Sequence, residues 1–90
     1  MKREAEAASR AIVAFADACD VFRNDARHVH TFDAAREDAM VACHAFAEAL
    51  YDVSPMRGDE VNAWRERIRR GVVSVAWAQR ATAIGEECGS

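Results

Sequence analysis

Leucine, the commonest residue of globular proteins, occurs once in this 90-residue chain, at Leu50. Proline also occurs once, and glycine four times. So little turn material excludes a many-stranded sandwich or barrel. No run of 18 apolar residues occurs, so no segment reads as a membrane span. The opening, Met1-Lys2-Arg3-Glu4-Ala5-Glu6, leads into an acidic amphipathic stretch and not into the apolar core of a secretion signal. The three cysteines, Cys19, Cys43 and Cys88, form no CxxC pair. A disulfide framework or a structural zinc site needs paired, spaced thiols, so free thiols in the cytoplasm are expected. A Ser/His/Asp set, a phosphate loop and an HExxH helix are also missing. The expectation is a protein that is no enzyme, with no catalytic residue, no cofactor and no metal.

Alanine takes the place of leucine, with 20 residues, and it is the best helix former. With 51% hydrophobic and 30% charged residues the composition is that of a folded globular chain. A single all-helical domain over residues 1–90 is expected.

The net charge of −3 is unevenly spread. Residues 1–52 hold six Lys/Arg against ten Asp/Glu, whereas residues 53–80 hold six arginines against three acids. Eleven of the twelve basic residues are arginine, whose flat fork suits phosphates and carboxylates. Net acidity argues against duplex DNA as a partner, since that needs a large positive surface.

Three helical segments are expected. The first covers about 3–23, with Ala5, Ala8, Ile12, Phe15, Cys19 and Phe22 at alternating spacings of three and four. Asn24-Asp25 ends it. The second covers about 32–52, with Thr31 as N-cap. Its buried face would carry Phe32, Ala39, Cys43, Phe46 and Leu50. After Ser54-Pro55, a third helix would start at Pro55, or at Asp59 as N-cap, and run unbroken to about Ile84, stopping before Gly85 as the C′ residue. Its inner stripe would be Val61, Trp64, Ile68, Val72, Val75 and Gln79. The short connections make neighbours antiparallel, giving a hairpin with an N-terminal helix packed along it.

A second stripe, Val73, Trp77 and Ile84, lies on the other side of the third helix. Either the first helix covers it, or it is a subunit interface. The alanine-rich core, which buries little area per residue, tilts the expectation towards a homo-oligomer.

Arg65 and Arg69 lie one turn apart, with Arg57 in the preceding turn and Arg36 on the second helix. These could converge on an anion through forked contacts, with Tyr51 stacking on a base. Alternatively the cluster is a solvated face, with Glu66 pairing Arg70 at i,i+4. His28, His30 and Asp33 have the flavour of a metal set but lack a fourth strong ligand; they read better as loop residues facing solvent or ligand. His44 cannot pair with the adjacent Cys43 and should pair with Glu48.

The segment His44-Ala45-Phe46-Ala47-Glu48-Ala49-Leu50, followed by Pro55-Met56-Arg57, Asp59-Glu60, Ile68, Gly71-Val72-Val73 and Ala83-Ile84, resembles a family of small phage proteins. That helical-hairpin family sequesters the cyclic nucleotide signals of CBASS and Thoeris bacterial defence. His30 and Arg36 fall where the family tends to have a histidine and an arginine. The resemblance spans about residues 28–84. The family's tryptophan is displaced here to Trp77, and the long first helix departs from the pattern. The resemblance implies a non-enzymatic, oligomeric sponge holding a cyclic oligonucleotide between subunits with arginines and aromatics. The same arginine run and Trp77 fit another class equally well: a small inhibitor or adaptor, like a compact anti-CRISPR, that binds a protein partner through the third helix.

Overall fold

A computed structural model describes residues 1–89. Four helices form it: α1 (Lys2–Asn24), α2 (Val29–Tyr51), α3 (Pro55–Arg69) and α4 (Ala76–Gly89), with a short 3-10 turn, Ala26–His28, between the first two. There is no strand among the described residues. α1 and α2 form an antiparallel hairpin, α3 returns along α2, and α4 lies along α1. The chain thus folds up-down-up-down into an elongated bundle of 42 × 18 × 16 Å.

Each break has a local cause. Asp25 is extended and its carboxylate accepts from the Arg27 backbone N–H at 3.0 Å, starting the short turn into α2. α2 therefore begins three residues before Phe32, and Thr31 lies inside it instead of capping it. Pro55 opens α3, as expected from its preset φ and missing N–H.

The largest difference from expectation is the division of the third helix. Gly71 has φ +86°, a conformation that costs glycine nothing. The Gly71 N–H donates to the Ile68 carbonyl at 2.9 Å and the Val72 N–H to that of Arg67 at 3.0 Å. This pair of bonds is the Schellman stop. Ser74 then restarts the helix, its hydroxyl accepting from the Ala76 N–H at 3.3 Å. Val72 and Val75, expected on the inner stripe, consequently sit 54% and 55% exposed.

Gly85 is not a C′ residue but lies inside α4, where it is buried. A Cβ there would collide with the Ala5 methyl of α1. Small residues on both sides, Ala5 and Ala8 against Ala81 and Gly85, let these helices approach closely. Larger residues fill the rest of the core: Ile12, Phe15, Phe46, Leu50, Val61, Ile68 and Ile84 are fully buried. Trp64 is 4% exposed and stacks on Trp77 with centroids 5.9 Å apart, tying α3 to α4.

Candidate functional site

The arginines of α3 fall into two groups. In the N-terminal half, Arg57 pairs with Glu60 at 3.2 Å and reaches Glu87 of α4 at 3.3 Å. Glu60 also holds Arg80 of α4 through two bonds of 2.7 and 3.1 Å. The Arg80 guanidinium, aided by Arg57, lowers the Glu60 carboxyl below its ordinary value of 4.5. Tyr51 belongs to this end too: its hydroxyl donates to Asp59 at 2.7 Å, which raises the phenol above its ordinary value because the carboxylate favours the protonated donor. Tyr51 is thus tied to α3.

In the C-terminal half the pairing changes. Glu66 takes Arg69 at 3.3 Å and Arg65 at 3.8 Å. It does not take Arg70, the partner expected at i,i+4. α3 ends at Arg69, and Arg70 leaves helical geometry with φ −86° and ψ 3°, so the i,i+4 alignment is lost. Among the described residues, Arg67 and Arg70 enter no salt bridge. Both are exposed, and beside them in the chain stand the exposed Val72 and Val75.

The expected arginine set is not gathered at one point. Arg57 and Arg69 are twelve residues apart on one helix, about 18 Å at 1.5 Å per residue. Arg57 turns to α4. Arg65 turns to α2, where it lines an open hollow of about 260 Å³ with Glu37, Met40, Val41 and His44. His44 faces this hollow and forms no salt bridge to Glu48. The Arg65 Nε is buried with no acceptor among the described residues. Arg36 bonds Asp33 at 3.0 Å and lies over the Phe32 ring, 5.4 Å from its centroid. His30 is on another face, in a groove between α1 and α2. His28 approaches Asp25 at 3.8 Å, so His28, His30 and Asp33 have separate neighbours.

The expected interface residues lie largely within one chain. Ile84 is 0% exposed in the shared core, and α1, lying along α4, supplies the cover. Trp77 is half-buried on Trp64, and Val73 packs against the core. Neither Ile84 nor the stacked face of Trp77 is open to a second chain.

Cys43 is fully buried and burial pushes its thiol up to about 12, the behaviour of a small apolar residue and not of a nucleophile. Helical periodicity that runs on through Gly71 hides Arg67, Arg70, Val72 and Val75 as an exposed group in the sequence. The available signal was Gly71 followed by three β-branched residues and a serine cap.

No helix among the described residues is long and apolar enough to cross a membrane. Compared with family models, curated proteins and solved structures, the chain matches none.

Proposed function

We propose that this is a non-enzymatic helical binding protein that docks on an acidic surface of a protein partner through the end of α3 and the 70–75 connection. One observation carries the reading: Arg67 and Arg70 have no carboxylate partner among the described residues and stand next to the exposed Val72 and Val75. Arginine is enriched at interface hot spots, and the two valines add exposed apolar area beside it. Arginine forks pair readily with carboxylates on the other protein.

A second reading, the phage sponge for cyclic oligonucleotides, rests on the resemblance over residues 28–84. It draws support from the unmet Arg65 Nε beside His44. Against it, Arg57, Arg65 and Arg69 already meet carboxylates, and Arg57 lies about 18 Å along α3 from Arg69.

The test pairs affinity capture with thermal shift. Immobilised wild-type protein should retain a partner that Arg67→Glu/Arg70→Glu does not, with helical content unchanged. Cyclic di- and trinucleotides should leave the melting temperature unmoved. A rise that disappears in Arg65→Ala/Arg69→Ala would move the function to the sponge.

A further inference from the structure

An open groove of about 720 Å³ runs between α1 and α2. Ala7, Ala11 and Ala14 form one wall, and Thr31, Ala34 and Ala35 the other. Arg10 stands on the first wall and Asp38 on the second. Both are exposed. Among the described residues neither enters a salt bridge, and Glu6, one turn before Arg10, does not reach it. The groove therefore has an unpaired cation on one wall, an unpaired anion on the other, and small side chains that admit another helix.

That pattern is self-complementary. A two-fold axis along the groove brings α1 of one copy against α2 of the other, keeping each residue's height. Arg10 then faces Asp38 of the second copy, and the reciprocal pair forms at the same time. The helices meet antiparallel, as α1 and α2 already do within the chain. Alanine walls permit the close approach that larger residues would block. Each helix has 23 residues, so the face is about 34 Å long and two helices wide. A stable interface needs roughly 800 Å² per subunit, so the contact extends along both helices beyond the groove lining at residues 7–14 and 30–38.

We propose that two copies of this chain associate face to face through the α1–α2 groove, with two Arg10–Asp38 pairs fixing the register. This surface is separate from the α3 end assigned above to a partner, and from Val73, Trp77 and Ile84.

Mass by light scattering across a concentration series tests it. Wild type should reach twice the 9.9 kDa chain mass. Arg10→Asp places two acids in the groove and Asp38→Arg places two bases, so each variant alone should dissociate about a hundredfold more readily. Mixed one to one, the two variants should recover the doubled mass, because opposite charges again face each other. Ala34→Glu, at an exposed position, should block association while circular dichroism stays unchanged. A wild-type monomer at the highest concentration would overturn the proposal. So would variants that dimerise like wild type, or a mixture that stays monomeric.

Discussion

The two halves of α3 carry similar residues but use them differently. In the first half, Arg57 and Glu60 are bound to Arg80 and Glu87 of α4, and just past the midpoint Trp64 still stacks on Trp77. Charge there serves the fold. In the second half the helix stops at Gly71, Glu66 is occupied by its neighbours, and Arg67 and Arg70 face solvent. The contrast teaches that an arginine run is not one feature. Each guanidinium's role depends on where the helix ends and which carboxylate lies within one turn.

The comparison can be broken hardest at Trp64. Trp64→Ala should remove a buried ring and the only stack joining α3 to α4 among the described aromatic pairs. We expect a loss of about 3–5 kcal/mol, read by urea unfolding. A loss under about 1 kcal/mol would mean that α3 is not fastened to α4 as described.

Glu60→Gln should have a smaller effect, below about 1 kcal/mol, because the cluster is partly exposed and screened. Its signature is pH dependence. The Glu60 carboxyl is held below 4.5 in the folded chain, so its contribution is complete above that value and is lost as pH falls through the lowered one. Melting temperatures from pH 7 to pH 3 should converge for wild type and variant at the acid end. A gap that widens on acidification would contradict the cluster.

The smallest stability effect belongs to the free half. Arg67→Ala/Arg70→Ala should change stability by no more than about 0.5 kcal/mol in the same unfolding experiment. Partner binding should nevertheless be lost, and a variant that unfolds early would show that these arginines serve the fold after all.

Much of the helical framework was legible in the sequence. The heptad-like spacing of Ala5, Ala8, Ile12 and Phe15 placed α1, and Cys43, Phe46 and Leu50 placed the buried face of α2. Val61, Trp64 and Ile68 were placed correctly because helical periodicity holds up to Arg69. Beyond it, Val72 and Val75 continue the same spacing by coincidence, and periodicity alone cannot see a backbone that leaves the helix. The Gly71 stop and the Ser74 restart were present as cap signals but were outweighed by the stripe. The role of Gly85 was hidden for another reason: a close helix approach depends on Ala5, 80 positions away in the sequence. The arginines are not gathered at one point because residues in sequence proximity share a helix, and a helix spreads them along its length and around its faces.

The central claim is that the exposed end of α3 is where a protein partner docks. Photocrosslinking compares it with the opposite end of the same helix, where Met56 is 78% exposed without unpaired arginines beside it. A photocrosslinking side chain in place of Val72 should give a discrete covalent adduct with a second protein, and one in place of Met56 should not. The Val72 adduct should vanish on Arg67→Glu/Arg70→Glu. Adducts of equal yield from both ends, or an adduct that survives the double charge reversal, would contradict the account.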